Sequence, residues 1–205
     1  MQIKEVKELF GTKWLAFKEG TYLNKENQEA KWTWVSRKNG AQIVTAVCCS
    51  KTTGKYLLIS QPRVPVNKIV IEFPAGLIDK GETPEMAGLR ELKEETGYDG
   101  TVIKASLFVV KSAGLSDEAT SLVEIDVDEK AVGKTEMETT EDIQSFWMNP
   151  QEFKEMTDKL DWNKYIVDSH VWFYFQGLFA GSKSSPKKSP KKTTAAKKKS
   201  TNTKK

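Results

Sequence analysis

The segment Thr83–Gly97, TPEMAGLRELKEETG, constrains this chain more than any other stretch. Both of its ends are punctuated. Thr83 is a favourable N-cap, Pro84 suits the first helical position, and Gly97 accepts the left-handed conformation that closes a helix. The spacing predicts a helix over 84–96, with Met86, Leu89 and Leu92 as its apolar stripe and Glu91 and Glu95 turned away from it. Glu91, Glu94 and Glu95 then fall within five residues. Like charges one turn apart destabilise an isolated helix by about 0.2–0.5 kcal/mol per pair. Arg90 to Glu94 returns little, being in the less favourable order. Carboxylates held so close repel one another, and take up protons unless a cation neutralises them. Oxygen ligands of high charge suit Mg²⁺ or Mn²⁺. For RELKEETG alone, a solvated charged face is the competing account.

The 205 residues suit one domain with appendages. Residues 182–205 hold ten of the 32 basic residues, all lysines, and no acid or aromatic. The remaining body therefore carries 22 basic and 28 acidic residues, a formal charge of −6. An acidic body argues against a broad nucleic-acid-binding face and leaves room for divalent cations. The tail is too poor in apolar residues to fold and is expected to be disordered. Its lysines favour polyanions with salt-sensitive affinity. SPKK occurs twice, at 185–188 and 189–192, and resembles the repeats of linker-histone tails. Ser185 and Ser189 precede prolines, so phosphorylation there would weaken such binding. A nuclear-import signal and a merely solubilising tail are the alternatives.

MQIKEVKELFGTKW lacks an apolar h-region and does not read as a signal peptide. The longest apolar run, at 171–180, is too short to span a bilayer. Cys48 and Cys49 are adjacent in a strand-like stretch, where neighbours face opposite ways. That suits reduced, packed thiols in a cytoplasmic or nuclear protein.

Residues 1–40 hold short β-like pieces around 14–17 and 31–36. Residues 41–49 and 55–60 read as a hairpin, and 68–73 as a further strand ended by Pro74. After the helix, 105–110, 119–127 and 143–148 read as strands. Residues 151–158 and 163–180 read as helices, the second closed by Gly181. This order implies an α/β domain with a mixed sheet between helices. The expected division is an N-terminal β region at 1–40, the main domain at 41–181 and the tail at 182–205. His170, the only histidine, sits in an aromatic-rich helix and reads as a packed or capping side chain.

Widened to residues 76–98, the helix motif becomes GLIDKGETPEMAGLRELKEETGY. Gly76, Glu82, Arg90, Glu91, Leu92, Glu94, Glu95 and Gly97 all stand at the fixed spacings of G-x5-E-x7-R-E-U-x-E-E-x-G-U, with Tyr98 a loose fit to the final apolar position. This resembles the Nudix box, and the Nudix fold is the fold it implies. The resemblance places Glu91 and Glu95 on the metal, with Glu94 contributing to both metal binding and catalysis, and the carbonyl of Ala75 as a further ligand. Arg90 joins the catalytic set by holding a box glutamate in position, and Gly76 lets the loop pass close to the metals. The general base, where such a group is assigned, matches Glu141 in the loop 134–146, with Glu138 and Glu136 as alternatives.

The likeness extends over about residues 10–180 and is densest at 61–98, where QPRVPVNKIVIEFPAG leads into the box. It is similar to the ADP-ribose and ADP-sugar pyrophosphatases of Nudix type. In that branch an arginine at Arg63 contacts the phosphates and Glu72 lies near the substrate. Tryptophans of the N-terminal region sandwich the adenine, often across a dimer. Trp14 matches one; Trp32 matches the other through the W-x4-R spacing to Arg37, with Trp34 as its rival. The loop SAGLSDE at 112–118 resembles the substrate loop, which implicates Gly114 and Leu115, although Ala113 stands where a proline is common. The implied activity is Mg²⁺- or Mn²⁺-dependent hydrolysis of an ADP-sugar to AMP and a sugar phosphate by a homodimer, with nucleic acid as a possible partner of the tail and no membrane partner. The alternatives are an oxidised nucleotide, a dinucleotide or an RNA cap as substrate, or a sensor that binds ADP-ribose without turning it over. The intact box disfavours the sensor.

Overall fold

The computed structural model describes residues 2–137 and 142–183. Three strands, β1 (Gln2–Gly11), β2 (Leu15–Leu23) and β3 (Glu29–Arg37), form an antiparallel meander of their own. The second sheet is built from β4 (Ile43–Ser50), β5 (Tyr56–Arg63), β6 (Lys68–Glu72) and β7 (Ala75–Leu77) before the helix α1 (Pro84–Thr96). It is completed by β8 (Tyr98–Ala105), β9 (Val109–Val110), β10 (Ala119–Val132), β11 (Gln144–Met148) and, after α2 (Pro150–Lys159), β12 (Tyr165–Val167), which leads into α3 (Ser169–Lys183). Its central order is β12-β6-β5-β4-β10-β8. Strands β4 and β10 run parallel, as do β6 and β12, while β5 and β6 are antiparallel. This is the mixed sheet between helices that the element order implies.

Alternation along the strands divides the core into two layers. Val44, Ala46 and Cys48 of β4, with Leu57, Val123, Ile125 and Val127, pack against Ala87 and Leu92 of α1. Val47, Leu58, Ile71 and Phe73 face the other way, onto Phe153 of α2 and Val171 and Phe175 of α3. Phe153 and Phe175 stack with ring centroids 4.1 Å apart. Complete burial of Leu92 contributes about 1.5–3 kcal/mol. Cys48 is buried and Cys49 partly so; both are free thiols, and burial raises the pKa of each.

Helix α1 has the predicted ends. The Thr83 hydroxyl accepts from the Met86 amide, and Gly97 adopts φ 76°. Its buried face differs from the expected stripe. Met86 is 56% exposed, whereas Glu91 and Glu95 are only 9% and 5% exposed. The buried residues of the helix are Ala87, Gly88, Glu91, Leu92, Glu95 and Thr96, the glutamates among them because Arg90 and the backbone of β7 give their carboxylates partners in place of water.

Other expectations change in the structure. β1, β7 and β8 are strands that propensity alone did not mark; β8 in particular carries Asp99, Gly100 and Lys104 and is held by pairing with β10. Of the strand expected at 105–110, Ala105 ends β8 and Val109 and Val110 pair as β9, while 106–108 belong to neither strand. The helix expected over 163–180 begins at Ser169, since 165–167 pair with β6 as β12. Gly181 lies inside α3 and does not close it. Among the described residues, no helix is long and apolar enough to cross a membrane.

Candidate active site

Strand β6 ends at Glu72, and Pro74 cannot donate to a continuing ladder. The Pro74 carbonyl accepts from the Ala46 amide at 2.8 Å, and the chain turns back so that β7 pairs antiparallel with the start of β4. This brings Ala75, Gly76 and Leu77 against α1. A Cβ on Gly76 would overlap the Glu91 carboxylate, so only glycine allows that approach.

Arg90 organises the carboxylates. Its Nε donates to Glu82 Oε1 at 2.9 Å and its Nη2 to Glu82 Oε2 at 3.0 Å, a two-pronged pair. Nη1 donates to Glu91 at 2.7 Å and to Glu94 at 2.9 Å, and Nη2 also reaches the Leu77 carbonyl at 2.8 Å. The Arg90 guanidinium holds the Glu82 carboxyl below the usual carboxylate range. Glu95 accepts from the Ala75 amide at 3.2 Å. Arg90 is thus a positioning residue, and the contact that the structure shows for Ala75 runs through its amide. Among the described residues no three acidic, histidine or cysteine side chains form a ready-made metal cage. The glutamates are distributed instead over Arg90 and β7.

A cleft of about 510 Å³ opens over this face, lined by Trp14, Gly76, Asp79, Glu91, Glu95 and Glu136 among others. The Glu136 amide donates to the Glu94 carbonyl at 2.9 Å, which pins that loop to α1. Glu141 and Glu138, named from sequence beside Glu136, lie outside the described residues. A second cleft, about 570 Å³, meets the first along Ala75–Leu77. Three cations line it, each with a carboxylate partner in the same cleft. Arg63 donates to Glu72 at 2.9 Å, Arg37 pairs with Glu118, and Lys111 lies 3.2 Å from Asp168. Burial raises the Glu72 pKa, opposed by Arg63. Burial also works to raise that of Asp168, but hydrogen bonds from His170 together with Lys111 outweigh it and hold the carboxyl below its usual range.

The tryptophans separate. Trp14 is 63% exposed at the mouth of the first cleft, with the Lys13 ammonium 4.4 Å from its ring. Trp32 pairs with Gly20 in the β2–β3 register, six residues from Trp14, which puts the two about 20 Å apart along the strand. Its indole donates to the Gly114 carbonyl at 3.2 Å, and the Val35 amide donates to the Leu115 carbonyl at 2.9 Å. The loop bearing Gly114 and Leu115 is therefore docked on β3, and neither residue lines either cleft within this chain. Trp34 donates to Asp117 at 3.0 Å. Within one chain, then, the site gathers Trp14, Arg37, Arg63, Glu72, Ala75, Arg90, Glu91, Glu94 and Glu95, and does not gather Trp32, Gly114 or Leu115.

Asp79, Lys111, Glu118 and Asp168 line the clefts but were not singled out from sequence. Asp79 follows the box glycine by three residues, and Lys111 and Glu118 flank or end SAGLSDE. Asp168 carries a helix-start signal, which its hydrogen bond from the His170 amide at 2.8 Å fulfils.

Comparison with known proteins agrees with this geometry. Residues 41–169 match the NUDIX domain. The chain is 34% identical over 192 residues to the ADP-ribose pyrophosphatase of Saccharomyces cerevisiae, covering 87% of this chain and 82% of the relative. It is 37% identical over 122 residues to the ADP-sugar pyrophosphatase of Mus musculus, 56% of each chain. A crystal structure of an ADP compounds hydrolase shares the fold, with TM-score 0.66 and 16% identity over 89% of this chain and 95% of that one. A glycine-backed set of box glutamates held by Arg90, inside a matched domain that spans most of the chain, identifies this protein as a member of the Nudix hydrolase family.

Proposed function

We propose that this enzyme hydrolyses the diphosphate bond of ADP-ribose or a related ADP-sugar, releasing AMP and a sugar phosphate. The observation that carries the proposal is the meeting of two clefts on Ala75–Leu77, one lined by the box carboxylates and the other by Arg37, Arg63 and Lys111. A diphosphate lying across β7 has acids on one side and, on the other, the guanidinium groups of Arg37 and Arg63 to bind its oxygens. The names of the relatives from yeast and mouse support the same substrate class.

The donor set fits a hard divalent cation. Glu91, Glu94 and Glu95 offer oxygen donors on one helix face, and Gly76 lets the Glu91 carboxylate take the space that a side chain would fill. In this reading they hold Mg²⁺ or Mn²⁺, with the Ala75 carbonyl as a further ligand. When bound, the ion neutralises phosphate oxygens and acidifies a water for attack on phosphorus. Arg90 keeps the carboxylates in register throughout. Arg63 and Arg37 exchange part of their pairing with Glu72 and Glu118 for phosphate oxygens. Glu136, placed in the cleft, and Glu141, expected from the loop, compete as acceptor of the water's proton.

Trp14 stacks the adenine on one face. Because Trp32 is about 20 Å away in the same chain, a two-sided stack needs Trp32, or its neighbour Trp34, from a second copy. The exposed apolar side chains of the N-terminal strands, Ile3, Phe10, Phe17 and Trp32 among them, supply a surface for that homodimer. Residues 1–40 then serve substrate and dimer contacts, residues 41–181 catalysis, and residues 182–205 electrostatic retention on nucleic acid in the cytoplasm or nucleus. The test is AMP release from ADP-ribose, ADP-glucose, diadenosine polyphosphates and capped RNA, with Mg²⁺ or with EDTA. Metal-dependent AMP release from the ADP-sugars is expected; preference for capped RNA or a dinucleotide would overturn the substrate assignment. Sedimentation of the full chain, and of a chain ending at residue 181, reads the dimer and the tail separately.

A further inference from the structure

The second cleft lies at the carboxyl ends of two parallel strands. Glu72 ends β6, Asp168 follows β12, and Val167 pairs with Ile71 between them. Asp168 is fixed on several sides. Its backbone amide donates to the Ile71 carbonyl at 2.9 Å, its carbonyl accepts from Trp172, and its carboxylate accepts from the His170 amide at 2.8 Å and lies 3.3 Å from His170 Nδ1. Lys111 arrives from the other side of the cleft, just past β9, and donates to the second carboxylate oxygen at 3.2 Å. The Lys111 side chain keeps 33% of its exposure. A cation and a carboxylate thus stand side by side, the carboxylate held on several sides, in the wall of the cleft that Arg63 also lines.

We propose that Lys111, set in place by Asp168, is the specificity-determining residue for the group beyond the second phosphate, and that it selects a hydroxyl-bearing sugar. This rests on the reading of the enzyme as an ADP-sugar hydrolase. Arg63 and Arg37 suffice for the diphosphate, being the guanidinium groups of the cleft. Unlike the two arginine pairs, whose guanidinium forks match phosphate oxygens, the Lys111–Asp168 pair presents one compact ammonium beside a carboxylate that the His170 amide also holds. It offers a donor and an acceptor about one hydrogen-bond length apart, the complement of neighbouring hydroxyls that each donate and accept. Hydrogen bonds to charged partners are strong enough to discriminate, and a site built to bond a hydroxyl loses most when that hydroxyl is missing.

The test compares ADP-ribose with the ethyl ester of ADP, which presents the same diphosphate and no hydroxyl beyond it. Both release AMP on cleavage. K111M is expected to lower kcat/KM for ADP-ribose by about 10- to 100-fold, mostly through KM, and that for the ethyl ester by less than about 3-fold. K111R, which retains a donor, recovers much of the loss. An equal loss on both compounds would assign Lys111 to the phosphates or to the fold, and no loss on either would remove it from the site; both results overturn the proposal. Titration calorimetry of the two compounds with each variant carries the same comparison if the wild-type chain releases no AMP, a result that would count against the proposed function and not against the Lys111 contact.

Discussion

Replacement of Arg90 by methionine removes the group on which the box is assembled, and the structure sets its cost. Five hydrogen bonds are lost, to Glu82 twice, to Glu91, to Glu94 and to the Leu77 carbonyl. They are not equal. The side chains of Glu82 and Glu91 are 18% and 12% exposed, so their pairs are poorly screened, whereas Glu94 at 38% forms an i,i+4 surface pair worth a few tenths of a kcal/mol. Arg90 is itself 27% exposed, which places the loss at the low end of the 3–5 kcal/mol typical of breaking a fully buried pair, about 3 kcal/mol. For a chain of this size that is a fall of about 6–12 °C in Tm. Differential scanning calorimetry in EDTA reads it without interference from metal. A double-mutant cycle with Glu82→Gln isolates the two-pronged pair, with an expected coupling of about 1–2 kcal/mol. A Tm within about 2 °C of wild type, or a coupling near zero, would refute the claim that Arg90 holds the carboxylates together.

Glu95→Gln should lower kcat at least about 100-fold with Tm changed by less than about 2 °C, since the amide oxygen can still accept from Ala75; equal turnover would remove Glu95 from the metal set. Gly76→Ala should cost about 1–3 kcal/mol by thermal unfolding and abolish AMP release, because the new methyl overlaps the Glu91 carboxylate; a fully active variant would contradict that contact. Trp14→Ala should raise KM for ADP-ribose about 10-fold with little change in kcat, as loss of a base-stacking face predicts; an unchanged KM would place adenine elsewhere. Glu72 has a folded-state pKa raised by burial, so its neutral form is favoured by folding. That contribution is present below the unfolded pKa and disappears as pH rises through the folded value. The Tm of wild type relative to Glu72→Gln should therefore fall from pH 4 toward pH 7, and a difference independent of pH would contradict the shift.

Local chemistry determined α1 and the identity of its acids before any contact was known. Thr83, Pro84 and Gly97 act on backbone groups one turn away, and the spacing of Gly76, Glu82 and the three glutamates is a property of the chain itself. What lay beyond reach was orientation. The stripe of Met86, Leu89 and Leu92 suggested that Glu91 and Glu95 faced outward, yet they are buried, because their partners come from Arg90 and from the Ala75 amide on a strand too short to announce itself. Strand β8 likewise has its strand formers interrupted by Asp99 and Gly100, and is held by its pairing with β10. The clefts follow the same rule. Glu118 and Asp168 are ordinary acids in sequence and become cleft walls when Arg37 and Lys111 arrive from β3 and from the end of β9. Trp14, just before β2, and Trp32, on β3, belong to one N-terminal meander, but the β2–β3 register keeps them from a common base. Propensity and motif spacing act within a few residues, so they were legible in the sequence. Burial and charge pairing between distant segments are set by packing, and only the tertiary structure decided them.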